Sequence, residues 1–312
     1  MANTETKTVL VTGAAGFIGT PVVARLLEHG VRVRAVVHRA EAAPGADAVP
    51  ADLARPGSLA GLCRGVDAVV HLASRIGGTE QECRAVNTGG TAALLAEAHR
   101  AGVRRFVQLG TAAVYGEGPH RGPAEGGLAE APGSVTSATR LAGERLVLAA
   151  GGTVVRPHMV FGRGDRWVIP SLVSLLARLP HWVDGGRARI SMLSVDALAG
   201  AVAELALSPQ EAPGVLHAAH PEAVTARELV CTVTQALDLP LPQGETDVRG
   251  ALDLLEGDAG PDAMLRRRLS LLAVDHWYDS SRLWDGLNSR PGPAFSAAFS
   301  PYADWYRTEL TG

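Results

Sequence analysis

The segment TVLVTGAAGFIG, residues 8–19, joins an apolar run to three closely spaced glycines. Residues 8–12 predict a buried strand. Gly13 allows a tight turn, Gly16 lets the backbone approach a ligand, and Gly19 lets the next helix pack close to the sheet. A strand, a glycine loop and a helix in this order predict a pyrophosphate site at a helix N-terminus. The predicted contacts of this loop are Gly13, Ala15, Gly16, Phe17, Ile18 and Gly19.

Apolar runs and helical patterns alternate through the first half of the chain. Predicted strands cover residues 8–12, 31–37, 47–50, 68–73, 105–109 and 153–156, and predicted helices cover 17–28, 87–101 and 134–150. This alternation predicts an α/β protein with a Rossmann-type, doubly wound parallel sheet. Residues 116–133 are rich in Gly, Pro and Ala and predict a functional loop, in which we expect His120 at the surface.

The second half is less regular and predicts a smaller C-terminal substrate lobe. Its patterns predict helices at residues 168–179, 195–207 and 247–272 and a strand at 215–218. We therefore predict a dinucleotide-binding domain from residues 1–162 and 190–218. Residues 163–189 and 219–312 then form most of the substrate-binding lobe.

Composition excludes several classes of protein. The 312 residues are 46% hydrophobic and carry a formal net charge of −3, so no basic field favours nucleic acid or an anionic membrane. No apolar run approaches the roughly 18 residues of a membrane span. Residues 1–7 are polar and predict no secretory signal, so a cytoplasmic location is expected. The 3 cysteines form no C-x-x-C pair and predict buried thiols, and we expect no metal site.

Further motifs follow the glycine loop in an order that resembles the extended short-chain dehydrogenase/reductase family. They are Asp52-Leu53, His71-Leu72-Ala73-Ser74, Asn87 with Gly90-Thr91, Thr111-Ala112-Ala113-Val114-Tyr115-Gly116, Arg156-Pro157 with Phe161-Gly162, Val195-Asp196 and residues 277–287. The resemblance implies that a nicotinamide cofactor lies across the carboxyl ends of the strands. The further cofactor contacts that it implies are Asp52, Leu53, Leu72, Ala73, Ser74, Pro157 and His158. The weaker substrate contacts that it implies are Arg75, Tyr115, His158 and Met159.

The end of the second predicted strand bears on the choice of cofactor. NAD-binding members of this family place Asp or Glu there to hold the ribose 2′-hydroxyl. Here Val37 is followed by His38 and Arg39. A cation in place of an acid suits a 2′-phosphate, so NADP(H) is favoured, with Arg39 as the main contact and His38 or Arg34 beside it. NAD(H) is the alternative, and Arg39 is then a solvated loop residue.

The family's catalytic Y-x-x-x-K pair is absent. The helix that should carry it contains TSATRLAGE, residues 136–144, so Thr136 stands in the Tyr position and Arg140 in the Lys position. No other alignment restores the pair, because Lys7 is the only lysine. Arg140 does not release a proton in a protein, and losing a general acid raises a barrier by roughly 3–5 kcal/mol. We predict that Thr111, which polarises the carbonyl in the family pattern, works with Thr136 and Arg140.

Two functions fit this pattern. The first is an NADPH-dependent ketoreductase whose substrate is an aromatic polyketide or another secondary metabolite, as in the atypical angucyclinone ketoreductases of antibiotic biosynthesis. The final proton then comes from the substrate or from water. The second is a regulatory or scaffold protein that binds NADP without catalysis. In the first case the partner is a small-molecule ketone, and we expect a monomer or a homodimer.

Overall fold

The computed structural model describes residues 6–38, 41–210, 212–257, 260 and 262–311. Its strands are β1 (Thr8–Thr12), β2 (Arg32–Val37), β3 (Asp47–Pro50), β4 (Ala68–His71), β5 (Arg105–Leu109), β6 (His120–Arg121), β7 (Thr153–Pro157), β8 (Met159–Phe161), β9 (His181–Val183), β10 (Arg189–Ile190), β11 (Met192–Ser194), β12 (Gly214–Ala218), β13 (Val224–Thr225), β14 (Gly244–Thr246) and β15 (His276–Trp277). Its helices are α1 (Gly19–Glu28), α2 (Glu80–Arg84), α3 (Thr91–Arg100), α4 (Val135–Ala149), α5 (Val168–Arg178), α6 (Val195–Leu207), α7 (Ala226–Ala236), α8 (Val248–Glu256), α9 (Ala263–Ala273), α10 (Ser281–Asp285), α11 (Phe295–Phe299) and α12 (Ala303–Thr311).

The main sheet contains seven strands in the order β12-β7-β5-β4-β1-β2-β3. All of its neighbouring strands run parallel. The predicted Rossmann-type sheet is therefore confirmed, including its short third strand. The chain moves outward from β1 to β3 and then returns to the other side of β1, so β1 and β4 flank the point where the order reverses. Ligands of such sheets bind at the carboxyl ends of the strands at this point.

Burial explains why these segments form strands. β1, β4 and β7 are buried along their whole length, which suits near-continuous apolar runs covered on both faces. Helices α1 and α6 cover one face, where Val22, Leu26, Leu198 and Val202 are fully buried. Thr225 is the N-cap residue of α7, and its side chain accepts a hydrogen bond from the Glu228 backbone N–H, as threonine commonly does in this position.

The local predictions differ from the structure at helix starts and at residues 247–272, where two helices, α8 and α9, take the place of the single predicted helix. The predicted helix at residues 17–28 begins at Gly19, because residues 13–18 form the glycine loop. The predicted helix at residues 87–101 opens with a π-helical turn, Ala85–Gly90, before α3. A Cβ at Gly90 would lie 2.8 Å from the Leu53 Cβ, so this helix start packs directly on the loop after β3.

A second apolar core lies beyond the main sheet. It is built by α5, α7, α11 and the short strands β8, β10 and β11, around Phe161, Ile169, Leu229 and Phe299. Helix α10 instead packs on the main sheet, where Leu283, Trp284 and Leu287 join the first core. The proposed division into two domains stays a prediction.

In the described part of the chain no helix is both long and apolar enough to cross a membrane.

Candidate functional site

The glycine loop after β1 is packed too tightly for side chains at two positions. Gly13 has φ +70°, and a Cβ there would lie 2.7 Å from the Ala73 backbone nitrogen. A Cβ at Gly19 would lie 1.9 Å from the Gly13 carbonyl oxygen. Both are shorter than any normal contact, so the loop must pass close to the end of β4 and to the start of α1.

The N-terminus of α1 is left available to an external anion. Its N-cap residue, Ile18, makes no side-chain capping hydrogen bond, and the first turn contains no acidic residue. The first N–H groups of a helix need an acceptor, and the helix dipole favours a negative one there. The loop around Gly16 therefore fits a pyrophosphate group. The predicted contacts Ala15, Phe17 and Ile18 lie in this loop.

A buried histidine ties β1 to β4 behind the loop. The His71 Nδ1 lies 2.6 Å from the Thr12 Oγ1, and its Nε2 lies 2.9 Å from the Thr91 Oγ1. The Thr91 hydroxyl donates its proton to the Asn87 carbonyl, so we infer that His71 donates from Nε2 and accepts at Nδ1. Burial, with the charge of Arg140 as a smaller cause, lowers the pKa of His71 to about 4, so the imidazole is neutral.

The segment after β4 is held along its backbone. The Asn87 side-chain oxygen accepts from the Arg75 backbone N–H at 2.7 Å, and the Asn87 amide donates to the Arg75 carbonyl at 3.0 Å. Leu72, Ala73 and Ser74 thus follow the carboxyl end of β4, which is where ligands of such sheets bind. The Arg75 guanidinium pairs with Glu82 at 2.9 Å on α2.

The predicted adenine and ribose end of the site contains Asp52 and Leu53. The Asp52 carboxylate lies 3.6 Å from the His38 Nε2 and 3.5 Å from the Arg55 Nε. Arg34 donates to the carbonyls of Leu62 and Arg64, at 2.6 and 2.9 Å. Arg34 is therefore engaged by the backbone, whereas His38 lies beside Asp52. Arg39, the predicted phosphate contact, lies outside the described residues.

Two of the three predicted catalytic residues, Thr111 and Arg140, lie at the end of β5. The Thr111 backbone N–H donates to Glu144 at 3.2 Å, and its hydroxyl accepts from the Ala113 N–H at 3.2 Å. Arg140 donates to the carbonyls of Leu109 and Gly110, at 3.0 and 2.8 Å. Burial lowers the pKa of Arg140 from its ordinary value.

The third residue, Thr136, contacts the segment that follows β4. Its hydroxyl accepts a hydrogen bond from the Gly77 N–H at 3.2 Å. Because Gly77 follows β4 and Thr136 lies in α4, this contact joins the loop after the cofactor segment to the helix that carries Arg140. The Thr136 side chain thus has a structural role, because it links α4 to the loop that contains Gly77.

A buried ionic network lies behind Thr111 and was missed by sequence reasoning. Arg156 donates to Glu144 at 2.8 Å and to Glu130 at 2.6 Å, and the Arg156 and Glu144 side chains are 2% and 0% exposed. Burial raises the pKa of Glu144, and the charges of Arg156 and Arg140 oppose this shift. Since Glu144 also accepts the Thr111 N–H, the network positions the backbone at the end of β5.

Tyr115 is fully engaged in the same network. Its hydroxyl accepts from Arg156 at 2.9 Å and lies 2.7 Å from the His217 Nε2. The His217 Nδ1 lies 3.1 Å from the Asp279 carbonyl, so it carries the ring proton and leaves Nε2 to accept from Tyr115. The only proton of Tyr115 is therefore committed to His217. Tyr115 is also not among the residues that line the cavity described below, so a direct substrate contact stays a prediction.

A cluster of histidine and tyrosine rings surrounds Tyr115. The expectation that His120 is a surface residue was wrong, because it is only 5% exposed and its Nδ1 lies 2.9 Å from the Tyr278 hydroxyl. His276 stacks on His158 with ring centroids 5.5 Å apart and planes at 9°. The sequence contains little sign of this cluster, because the pairs Tyr115–His217, His120–Tyr278 and His158–His276 each lie more than 100 positions apart in the chain.

His158 stands out within this cluster. Burial, together with the nearby groups His276, His120 and Arg267, lowers its pKa to about 3, so the ring is neutral near pH 7. Its Nε2 is buried and has no hydrogen-bond partner among the described residues. A buried polar atom without a partner is costly, and a ligand is one way to satisfy the ring.

His158 and Thr111 open onto an apolar cavity of about 230 Å³. The lining residues are Thr111, Ala113, His158, Met159, Trp167, Val168, Ser171, Leu172, Leu175, Leu229, Arg267, Arg268, Leu271 and Leu272. β4, β5 and β7 are neighbours in the sheet, so Ala73, Thr111 and His158 all follow the carboxyl ends of adjacent parallel strands. The cavity therefore opens at the carboxyl ends of β5 and β7, on the same side of the sheet as the glycine loop, with β4 between them. Pro157 and Met159 stand on either side of His158 in the chain.

Comparison with known proteins finds one matching family model and several similar reductases. The NAD dependent epimerase/dehydratase family matches residues 9–215. A 4-hydroxy-2-methyl-3-oxo-4-farnesyl-3,4-dihydroquinoline-1-oxide ketoreductase from Stigmatella aurantiaca is 32% identical over 192 residues, which cover 57% of this chain and 58% of that protein. A 2-alkyl-3-oxoalkanoate reductase from Stenotrophomonas maltophilia is 30% identical over 254 residues, which cover 74% of this chain and 76% of that protein.

Solved structures share the fold. A short-chain dehydrogenase/reductase superfamily protein from Agrobacterium tumefaciens, solved with bound NAD, superposes with a TM-score of 0.76 at 21% identity over 97% of this chain and 98% of that one. The chain thus spans little more than half the length of the farnesyl-quinoline ketoreductase, at 58%, but nearly all of this structural neighbour.

Proposed function

Because the chain belongs to the NAD dependent epimerase/dehydratase family, we propose that it is an NADPH-dependent reductase of a hydrophobic ketone. An aromatic polyketide or another secondary metabolite is the substrate class that we favour. The apolar cavity bordered by Thr111 and His158 carries this proposal. Sugar hydroxyls would find few polar partners there, whereas an aromatic or alkyl body would be well covered. The two relatives described above are named for reductions of ketones with farnesyl or alkyl substituents.

The proposed site would hold the cofactor along the glycine loop and the segment after β4. When bound, NADPH would supply the hydride for reduction of the ketone. Gly13, Gly16 and Gly19 let the backbone approach its pyrophosphate, and the clamp of Asn87 on Arg75 holds the neighbouring segment. His71 fixes the distance between β1 and β4 behind this surface.

The residues around Thr111 would position the carbonyl and stabilise the product oxyanion. The Thr111 hydroxyl and the Arg140 guanidinium are the donors that we assign to this role. Neither is a suitable source of the last proton, since Arg140 stays charged and a threonine hydroxyl is a far weaker acid than the phenol of a tyrosine. Thr136 is unsuitable for the same reason as Thr111. Tyr115 has its proton committed to His217, and His158, with its pKa of about 3, carries no imidazolium proton near neutral pH. The proton then comes from a hydroxyl of the substrate next to the carbonyl, or from water.

A matched pair of ketones tests this proposal. The purified protein is mixed with NADPH and either a bicyclic aryl ketone that carries a hydroxyl peri to the carbonyl or the methyl ether of the same ketone. We expect NADPH consumption with the hydroxy ketone and a rate about 10²- to 10⁴-fold lower with the ether. If no ketone of a broad panel causes NADPH to be consumed although NADPH binds, the protein is the non-catalytic NADP-binding protein of the second hypothesis.

The preference for NADP(H) rests on the residues that follow β2. No acidic residue stands at the end of this strand, and Arg39 is the cation that we assign to the 2′-phosphate. We expect Arg39→Ala to weaken NADPH binding by about 1–3 kcal/mol and to leave NADH binding nearly unchanged. Titration of both cofactors measures this difference, and equal losses would remove the phosphate assignment.

A further inference from the structure

Two arginines of α9 line the cavity without an acidic partner among the described residues. Arg267 and Arg268 both line it and are half-buried. Within the part of the chain that the structure describes, neither takes part in an ion pair, and no Asp or Glu lines the cavity. The preceding residue, Arg266, differs because it is bound to Glu256 by two hydrogen bonds of 2.6 Å.

The charge of Arg267 acts on His158, which lines the same cavity as Thr111. It is one of the groups that lower the pKa of His158, the ring with an unpartnered buried nitrogen. A half-buried cation beside an apolar wall keeps only part of its hydration and finds no partner in that wall, so an anionic ligand would be favoured there. The neutral His158 contributes no charge that would satisfy it.

The rest of the cavity suits a hydrophobic body. Leu172, Leu175, Leu229 and Leu271 form its walls, and Trp167 lies at its edge with 61% of its surface exposed. An exposed Trp beside an apolar cavity is well placed to cover a flat or elongated ligand. The ligand that complements both features is amphiphilic, with an apolar body and one negative charge.

We propose that the cavity selects an acidic substrate, a hydrophobic ketone whose carboxylate or phenolate is held by Arg267 and Arg268. The ketone part of this assignment rests on the proposed function, but the charge preference does not. Arginine is suited to such a contact because its planar fork donates two parallel hydrogen bonds to a carboxylate.

Two fluorescent probes with the same skeleton isolate the charge. Anilinonaphthalene sulfonate is a hydrophobic anion, and N-phenylnaphthylamine is the same ring system without the sulfonate. Both are titrated into the protein saturated with NADP⁺, so that the nucleotide crevice is occupied. We expect the anion to bind at least tenfold more tightly than the neutral probe. In the double variant Arg267→Gln/Arg268→Gln this preference is lost, with the anion about tenfold or more weaker and the neutral probe unchanged.

Matched variants separate charge from shape. Arg266→Gln removes a cation from the same helix outside the cavity and should leave both probes unaffected. Arg267→Lys/Arg268→Lys keeps the charge and should keep most of the preference. Unchanged binding of the neutral probe shows that the double Gln variant has retained its cavity.

Three results would overturn the proposal: equal affinity for both probes, a double Gln variant that still prefers the anion, or equal weakening of both probes in that variant. Displacement of the anionic probe by UDP-glucose, used as a nucleotide-sugar competitor, would also overturn it, because the ligand would then be a sugar nucleotide. A persistent anion preference in a protein that reduces no ketone would refute only the proposed function.

Discussion

The substitution Gly19→Ala tests the glycine loop most directly. The added methyl carbon would lie 1.9 Å from the Gly13 carbonyl oxygen and 2.8 Å from the Gly13 carbonyl carbon. Real Cβ contacts are not shorter than 3.0 Å, so the loop and α1 must separate by about 1 Å. Both contact atoms belong to the backbone, which leaves no flexible side chain to absorb the shift.

This displacement would weaken the hydrogen bonds that the loop N–H groups offer to a pyrophosphate. Hydrogen bonds to charged groups contribute about 1.5–3 kcal/mol each. A displacement of about 1 Å removes the good geometry of two such N–H groups, so we expect a loss of about 3–6 kcal/mol, or roughly 100- to 20,000-fold in the dissociation constant of NADPH. Isothermal titration measures it, and the melting temperature is recorded in parallel.

A second helical glycine provides the control. A Cβ at Gly200 in α6 would have the Ser289 Oγ, 3.9 Å away, as its nearest neighbour, which is ordinary contact. Gly200→Ala should therefore leave NADPH binding unchanged and stabilise the protein by up to about 1 kcal/mol. If Gly19→Ala binds NADPH within about threefold of the unsubstituted protein, the close packing of the loop is not what shapes the cofactor site.

Further predictions concern the buried network and the missing acid. Arg156→Met leaves the fully buried Glu144 carboxylate without its cation, so the free energy of unfolding in urea should fall by about 3–5 kcal/mol. A fall below about 1 kcal/mol would contradict a stabilising ion pair. Tyr115→Phe should destabilise the fold by about 1–3 kcal/mol in the same assay. Tyr115→Phe and Thr136→Ala should each keep measurable ketone reduction, and the absence of turnover in a variant that binds NADPH would identify the acid that we hold to be missing. The folded pKa of His71, about 4, lies below its ordinary value of 6.5, so its contribution to stability is complete above pH 6.5 and is lost as the pH falls toward 4. Unfolding at a series of pH values should show a loss of up to about 3 kcal/mol over this window, and His71→Asn should reduce the slope.

Much of the architecture follows from local sequence. The apolar run before Gly13 and the glycine spacing specify β1, the loop and α1, because each is encoded within a few neighbouring residues. The absence of the Tyr–Lys pair is likewise a property of the sequence, since Lys7 is the only lysine. Helix starts were less accurate, because packing decides whether the first turn is α or π, as where Gly90 meets Leu53.

The roles of the polar residues were decided by tertiary structure. Tyr115 contacts His217, 102 positions away, and His120 contacts Tyr278, 158 positions away, and no periodicity relates such residues. The apolar cavity is likewise formed by α5, α7 and α9, whose own patterns predict only helices with a buried face. Local sequence thus determined the sheet and the cofactor loop, because hydrogen bonding and side-chain period act over short distances. Tertiary structure alone decided which hydroxyl protons and charged side chains stay available for chemistry. Distant strands and helices pack together, and this packing buries some of these groups and pairs others with a partner.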